Sequence, residues 1–151
     1  MENSQLAALA ATIAPDAQVV QGKQFVEITL SPSDLFAVAE KLKSNSETAL
    51  DMLVSVTGMD YGTELGTVYH LRSTIHKHMI VLKTRVTDRE NPEIDSLCAL
   101  WPAADFHERE AYDLLGIRFR NHPDLRRLFL DSTWGYPLRK DYKDDVNILA
   151  R

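Results

Sequence analysis

The sequence is poor in cysteine and in long apolar runs, and each shortage excludes a class of protein. Its 151 residues include one cysteine, Cys98, so no disulfide can form within the chain. Iron–sulfur clusters usually need about four thiolates, so the chain cannot hold such a cluster by itself. No run of about 18 apolar residues occurs, which argues against a membrane-spanning helix. The chain also lacks a glycine-rich phosphate loop and a nucleophile elbow.

What remains is the composition of a folded domain. Hydrophobic residues make up 44% of the chain and charged residues 26%, which is ordinary for a globular protein. A chain of this length is the usual size of one domain with a buried core. The sequence from Met1 lacks the basic start and apolar stretch of a secretory signal. We therefore expect one unexported, cytoplasmic domain.

The net charge of −5 is unevenly distributed. Residues 1–106 carry eight Lys/Arg and fourteen Asp/Glu, whereas residues 107–143 carry eight and six. The basic residues of the second segment include the pairs Arg126-Arg127 and Arg139-Lys140. Acidic residues are interleaved with them, so this segment is not the basic patch of a nucleic-acid-binding protein. A surface that pairs with another protein fits the pattern better.

Local patterns predict both helices and strands. Apolar spacing and capping residues predict four helices, at residues 4–13, 31–44, 92–100 and 105–115. Ser31 is the expected N-cap of the second helix, and Gly116 the expected C-cap of the fourth. Runs of β-branched and apolar residues predict five strands, at residues 18–21, 24–30, 52–59, 67–75 and 79–86. Cys98 is expected to pack in the short third helix.

These elements predict an α+β fold. We expect a single domain with a mostly antiparallel or mixed sheet covered by helices, followed by an extended, irregular C-terminal arm. The core is predicted to span residues 1–116 and the arm residues 117–151. Pro123, Gly135 and Pro137 interrupt any long element in the arm. In isolation the arm is expected to be mobile, because irregular backbone needs hydrogen-bond partners that another protein would supply.

The arm and the helix before it carry a set of composite motifs, which are Glu108-Arg109-Glu110, Asp113-Leu114-Leu115-Gly116-Ile117, His122-Pro123, Arg126 and Gly135-Tyr136-Pro137-Leu138-Arg139-Lys140-Asp141-Tyr142. Two further motifs lie upstream, Val56-Thr57-Gly58-Met59-Asp60-Tyr61 and Leu82-Lys83-Thr84-Arg85-Val86. Together these motifs resemble a known family, the thirty-kilodalton subunit of respiratory complex I, NADH–quinone oxidoreductase. The resemblance covers roughly residues 50–142 and is looser upstream of the arm.

The resemblance implies a structural subunit of the peripheral arm of complex I, attached indirectly to the cytoplasmic face of the inner (plasma) membrane. Flavin and iron–sulfur clusters on partner subunits would carry electrons from NADH to quinone and drive ion translocation. This subunit would hold no cofactor and pack against the large quinone-site subunit. The alternative is the equivalent subunit of a membrane-bound energy-converting hydrogenase or of a ferredoxin- or F420-linked dehydrogenase complex. The motifs do not separate these complexes.

The charged and aromatic residues of this region are the predicted subunit interface or arm network, since Arg and Tyr are favoured at interface centres. Arg109 and Asp113, four residues apart on one helix, are expected to pair. Glu108 or Glu110 would then be free to meet Arg126 or Arg127. The predicted set is Glu108, Arg109, Glu110, Asp113, His122, Arg126, Arg127, Trp134, Tyr136, Arg139, Lys140, Asp141 and Tyr142.

Two other classes of function use some of the same residues. A free-standing small enzyme would use Glu108 and Glu110 as an acid/base pair with His122. A stand-alone adaptor would purify as a monomer with an ordered arm. A metal site at His70, His76 and His78 is disfavoured, because the last two flank a hairpin turn and are expected to be exposed. We therefore predict no catalytic, cofactor-binding or metal-binding residue in this chain.

Overall fold

The polypeptide forms a five-stranded sheet with helices packed on one face. The computed structural model describes residues 1–144, so the last part of the predicted arm, 145–151, lies outside the described residues. None of the helices within residues 1–144 has both the length and the apolar character needed to span a lipid bilayer. The elements in chain order are α1 (Asn3–Ile13), β1 (Gln18–Gln21), β2 (Val26–Leu30), α2 (Leu35–Ser44), β3 (Met52–Asp60), β4 (Leu65–Arg72), β5 (Met79–Val86), β6 (Glu93–Asp95), α3 (Ala104–Leu115) and β7 (Arg118–Arg120).

The sheet contains both parallel and antiparallel pairs. This agrees with the prediction of a mostly antiparallel or mixed sheet. Its strand order is β1-β2-β5-β4-β3, and the short strands β6 and β7 form a separate parallel pair. Within the large sheet only β2 and β5 are parallel, and the other neighbours are antiparallel. The intervening α2, β3 and β4 supply the long crossover connection that a parallel pair requires. The predicted α+β class is therefore confirmed.

Strand register places the apolar side chains in one layer. Ile28 lies beside Leu82, Leu82 beside Tyr69, and Tyr69 beside Val56, so one row of buried residues crosses four strands. All four belong to one core cluster with the inward-facing residues of the three helices. Because side chains alternate along a strand, the neighbouring residues face away from the helices.

Helix α3 lies against β3 at a close approach that a glycine permits. A Cβ atom at Gly58 would lie 2.5 Å from Leu115 Cδ1 and 3.2 Å from Ala111 Cβ. The helix then ends at Gly116, the predicted C-cap, which adopts the left-handed conformation with φ of 75°. These two glycines set the position of α3 on the sheet and the direction in which the chain leaves it.

Replacing Gly58 with valine is expected to lower the free energy of unfolding by about 1–3 kcal/mol, because the added side chain would force α3 away from β3. Urea denaturation followed by circular dichroism measures this change. Thr57→Val, at the exposed neighbouring position, is the control and is expected to change stability by no more than about 0.5 kcal/mol. Equal effects of the two substitutions would show that the close approach does not constrain the helix.

The helix predicted over residues 92–100 is wrong. The chain instead forms β6, in which Ile94 lies opposite Phe119 of β7, and both side chains are buried. The apolar spacing resembled a helix, but a strand partner more than twenty residues away decided the structure. Cys98 consequently lies in a turn rather than a helix and is half-buried.

The structure differs from the prediction at two boundaries, the end of the core and the start of the second helix. Ile117 and Phe119 are part of the buried core, so packing continues past the division predicted after Gly116. Helix α2 begins at Leu35 rather than beside Ser31, whose hydroxyl donates to the carboxylate of Asp34 instead of capping the helix. The arm, the irregular segment that packs on the outside of the core, therefore begins at residue 121, and its described part is residues 121–144.

Candidate functional site

The segment 121–144 is fastened to the core by a buried ion pair between Asp113 and Arg127. Asp113 lies on α3 with its side chain fully buried, and Arg127 Nε donates to its Oδ1 at 2.6 Å. The backbone N–H groups of Phe129 and Leu130 donate to the other carboxylate oxygen at 2.7 and 3.2 Å. One carboxylate on the helix thus binds three residues of the arm.

These donors also keep Asp113 ionised. Burial alone would raise the pKa of its carboxyl group, but the bonds from Arg127 and from the two amides outweigh burial and lower the pKa below its usual range. Arg127 is satisfied in turn, because its guanidinium also donates to the carbonyl oxygens of Asp113, Trp134 and Gly135 at 2.6–2.8 Å. The Asp113–Arg127 ion pair therefore attaches the arm to α3 and also satisfies backbone carbonyl groups within the arm.

Arg109 makes a second attachment, and the predicted Arg109–Asp113 pair is wrong. Arg109 instead donates to the carbonyl oxygens of Arg126 and Arg127 at 3.2 and 3.3 Å. The reason is that the arm folds back over α3 and presents carbonyl groups that a guanidinium satisfies. The Asp113 carboxylate is already paired with Arg127, which lies in the arm.

A third attachment is built around Tyr136. Its ring lies against Gly116, where a Cβ atom would come within 2.7 Å of the ring. The guanidinium groups of Arg127 and Arg139 lie 5.4 and 5.1 Å from the ring centroid, which is cation–π geometry. Arg139 also donates to the carbonyl oxygens of Leu115 and Arg89 at 2.6 and 3.0 Å. The later part of the arm is thereby held against the C-terminal end of α3 and the loop after β5.

The fourth attachment is made by Asp60 at the end of β3, a residue that was not among the predicted site residues. Arg89 binds its carboxylate through two nitrogens at 2.7 and 3.0 Å, and the backbone N–H of Lys140 donates to the same carboxylate at 2.8 Å. The bond from Arg89 lowers the pKa of Asp60 well below its usual range. Arg89 also reaches Asp141 at 3.3 Å. Asp60 belongs to one of the looser upstream motifs, but its pairing with Arg89 and Lys140 could not be predicted because these partners are distant in sequence.

Glu108 does not meet Arg126 or Arg127, and this prediction is wrong. Its fully buried carboxylate accepts bonds from the Ser96 hydroxyl at 2.6 Å and the Leu97 N–H at 2.7 Å, with Cys98 Sγ at 3.4 Å. Burial raises the pKa of Glu108 and raises that of the Cys98 thiol to about 12. His122 Nε2 lies 3.9 Å from the same carboxylate. Glu108 therefore joins the turn after β6 to α3.

The remaining predicted residues lie at or near the surface, Glu110 on α3 and the others on the arm. Arg126 is exposed and pairs with the exposed Asp124 at 3.0 Å. Glu110 lies on the exposed side of α3, whereas Glu108 points into the core, so the two glutamates do not face a common position for acid/base chemistry. The backbone N–H of Tyr142 donates to the carbonyl oxygen of Arg139. The large apolar side chains of the arm and of α3 that are exposed include Phe106, Phe129, Trp134 and Leu138.

The histidines near the hairpin turn differ from each other. His76 is exposed, as predicted, but His78 is buried, which corrects the expectation that both are exposed. Their Nε2 atoms each lie 2.8 Å from a backbone carbonyl oxygen, of Ser46 and Thr48. The turn is folded back on this preceding segment, which explains the burial.

The sequence of this chain matches a known protein family and several of its members. The family described as "Respiratory-chain NADH dehydrogenase, 30 Kd subunit" matches residues 28–146. The C subunit of NADH-quinone oxidoreductase from Moorella thermoacetica is 39% identical over 132 residues, which are 85% of this chain and 87% of that protein. The combined C/D subunit of NADH-quinone oxidoreductase from Phocaeicola vulgatus is 54% identical over 112 residues, or 73% of this chain. The match spans only 22% of the length of that larger relative.

A solved structure shares the fold at lower sequence identity. A chain of the membrane-bound sulfane sulfur reductase (MBS), described as an archaeal respiratory membrane complex, matches with a TM-score of 0.80 and 22% identity. The match covers 95% of this chain and 86% of that chain. The family match and the relative covered over most of its length confirm the resemblance seen in the arm motifs, and the chain belongs to the 30 kDa subunit family of respiratory-chain NADH dehydrogenase.

Proposed function

We propose that this chain is a structural subunit of an NADH-quinone oxidoreductase, binding neighbouring subunits through the arm and the outer side of α3. The observation that carries the proposal is the 39% identity over 85% of the chain to a protein named as the C subunit of that enzyme. In this role the chain supports electron transfer from NADH to quinone, coupled to ion translocation, without an active site of its own. Its one cysteine agrees with flavin and iron–sulfur clusters residing on partner subunits.

The arm is suited to an interface because its backbone is fixed while its apolar side chains point outward. From the core side, Asp113 and Asp60 bind backbone and charged groups of the arm. Phe129 and Leu138 remain 68% and 60% exposed. A rigid irregular segment that presents apolar side chains loses little conformational entropy on association.

The first partner we propose is the large quinone-site subunit. The name of the relative from Phocaeicola vulgatus combines the letters C and D, so one polypeptide there bears the names of two subunits. Two subunits joined in one chain are held close together, which supports a partner of the D kind for this chain. In this arrangement the protein is bound peripherally at the cytoplasmic face of the membrane, through its partners.

The alternative is the equivalent subunit of an energy-converting hydrogenase or of a ferredoxin- or F420-linked dehydrogenase complex. The fold is compatible with it, since a sulfane sulfur reductase complex contains the same fold. Purifying the tagged chain from native membranes in mild detergent, followed by mass spectrometry, separates these proposals. Flavin-, cluster- and quinone-site subunits support the NADH-quinone oxidoreductase. Nickel–iron hydrogenase subunits support the alternative, and a chain recovered alone contradicts both.

Arg126→Ala is expected to reduce the yield of assembled complex without destabilising the chain. Arg126 is 69% exposed and its partner Asp124 is 58% exposed, so the substitution changes the free energy of unfolding by at most about 0.5 kcal/mol. Arginine is enriched at interface hot spots, where truncation of the side chain costs about 2 kcal/mol of binding or more. Arg72→Ala, at the exposed end of β4, is the control. Assembled yields equal to that of the unsubstituted chain would contradict a role for Arg126 at the interface.

A further inference from the structure

Four potential metal ligands from three separate segments converge beside α3. Cys98 follows β6, Asp105 and Glu108 lie on the first two turns of α3, and His122 follows β7. Cys98 Sγ lies 3.4 Å from Glu108 Oε2, and His122 Nε2 lies 3.9 Å from that same oxygen and 3.1 Å from Asp105 Oδ1. The sulfur, Glu108 and His122 ligand atoms all lie within 4.8 Å of one another.

Three of the six spacings among these four ligand atoms are close to the edges of a tetrahedron around a zinc ion, and Asp105 is placed by its distance to His122 alone. Zinc bonds of about 2.0–2.3 Å to N, O and S ligands place neighbouring ligand atoms about 3.3–3.8 Å apart. Three edges of the cluster, at 3.1, 3.4 and 3.9 Å, bracket that range. A set of one sulfur, one imidazole nitrogen and two carboxylate oxygens suits zinc better than magnesium or calcium, which prefer oxygen alone.

The charge of the cluster also favours a cation. Among residues 1–144, no Lys or Arg forms an ion pair with Asp105 or Glu108. The donors to Glu108 are neutral groups, and the buried Asp105 Oδ1 has no hydrogen-bond partner with acceptable geometry. The fully buried Glu108 carboxylate without a Lys or Arg partner is costly, and a divalent ion would offset that cost.

We propose that Cys98, Asp105, Glu108 and His122 bind one zinc-type divalent ion as a structural site. The ion joins the turn after β6, the start of α3 and the turn after β7, and so fixes the point where the arm leaves the core. Four protein ligands leave no open position, which is the arrangement of structural rather than catalytic zinc sites. A single ion requires only one cysteine, so the proposal is compatible with the exclusion of iron–sulfur clusters. It departs from the expectation that the chain binds no metal.

Binding has a defined consequence at His122. In the metal-free arrangement the Asp124 N–H donates to His122 Nδ1 at 3.0 Å, so the neutral ring carries its proton on Nε2. A metal ion needs the Nε2 lone pair, and the proton must then move to Nδ1. Two bonds are lost in exchange for the metal bond. One is the bond from the Asp124 amide, and the other is the bond from His122 Nε2–H to the carbonyl oxygen of Asp105 at 3.2 Å. The nitrogen chemical shifts of the ring report this change of tautomer.

Titration of the full chain with Co²⁺, after treatment with a chelator, tests the proposal. We expect one ion per chain by elemental analysis, tetrahedral d–d absorption, a thiolate-to-cobalt charge-transfer band, and displacement by Zn²⁺, which binds such sites more tightly. Cys98→Ser should abolish the charge-transfer band and weaken Co²⁺ binding at least about 10-fold. His122→Asn should weaken it similarly and provides a second variant if the first does not fold.

His107→Asn is the matched control, because His107 lies on the same helix but faces the side of α3 that carries Glu110. It should bind Co²⁺ as the unsubstituted chain does. Absence of stoichiometric Co²⁺ binding would overturn the proposal. So would binding that Cys98→Ser and His122→Asn leave unchanged, because the ion would then lie elsewhere.

Discussion

Replacing Arg127 with alanine is expected to lower the free energy of unfolding by about 3–5 kcal/mol, the usual cost of leaving a buried charge without its partner. Asp113 is fully buried, and Arg127 is only 17% exposed. Without the guanidinium, the carboxylate keeps two amide donors but loses its counter-charge. The carbonyl oxygens of Trp134 and Gly135 lose their donor at the same time. Urea denaturation at neutral pH measures the loss.

The neighbouring arginine is the matched control for this prediction. Arg126 is adjacent in sequence but exposed, so Arg126→Ala should change stability by no more than about 0.5 kcal/mol. Asp113→Ala combined with Arg127→Ala should cost less than the sum of the two single changes, with a coupling of about 0.5–3 kcal/mol. Similar losses for Arg126→Ala and Arg127→Ala, or strictly additive effects in the double variant, would show that the ion pair does not hold the arm.

Replacing Asp60 with alanine is expected to cost about 3 kcal/mol and to release the end of the arm. Asp60 is 3% exposed, and hydrogen bonds to charged groups typically contribute about 1.5–3 kcal/mol each, without being additive. The Lys140 amide, which donates to Asp60, should lose protection from hydrogen exchange, while the Phe129 amide, bound to Asp113, should keep it. The arm is therefore expected to be mobile in isolation only between its attachments, rather than throughout.

The effect of Asp60→Ala should depend on pH in a defined direction. The folded state lowers the pKa of Asp60 below the unfolded value of about 3.9, so the unfolded chain binds more protons at low pH. The stabilisation is full above about pH 4 and decreases as the pH falls through the folded pKa. The stability difference between Asp60→Ala and the unsubstituted chain should therefore shrink between about pH 4 and pH 2.

A partly exposed carboxylate, Glu64, provides the comparison for Asp60. Glu64 pairs with Arg85 at 3.4 Å in a more exposed position, and Glu64→Ala should change stability by about 0.5 kcal/mol or less. A loss for Asp60→Ala that stays constant from neutral pH to pH 2 would contradict an ionised, hydrogen-bonded carboxylate at this position. Uniform loss of protection across the whole arm would contradict separate attachments.

Sequence patterns determined the elements whose signals are local. The apolar spacing of α1 and α3, the C-cap at Gly116 and the alternating runs of β1 to β5 all depend on residues within a few positions of one another. The arm motifs also identified the family, because a long composite motif is specific even without a structure. The short strand β6 was mistaken for a helix because its pairing partner Phe119 lies beyond α3.

Which charges are buried, and against what, was decided only by the tertiary structure. Arg126 and Arg127 are indistinguishable as neighbours in sequence, yet one is exposed and the other fills a buried ion pair. Asp113 binds an arginine fourteen residues away rather than the one on its own helix, because the arm folds back over α3. Local spacing determines which residues share a helix face. The burial of a charged side chain and the identity of its partner depend on chain segments that are distant in sequence. Burial and partner together set the electrostatic free energy of each charged group.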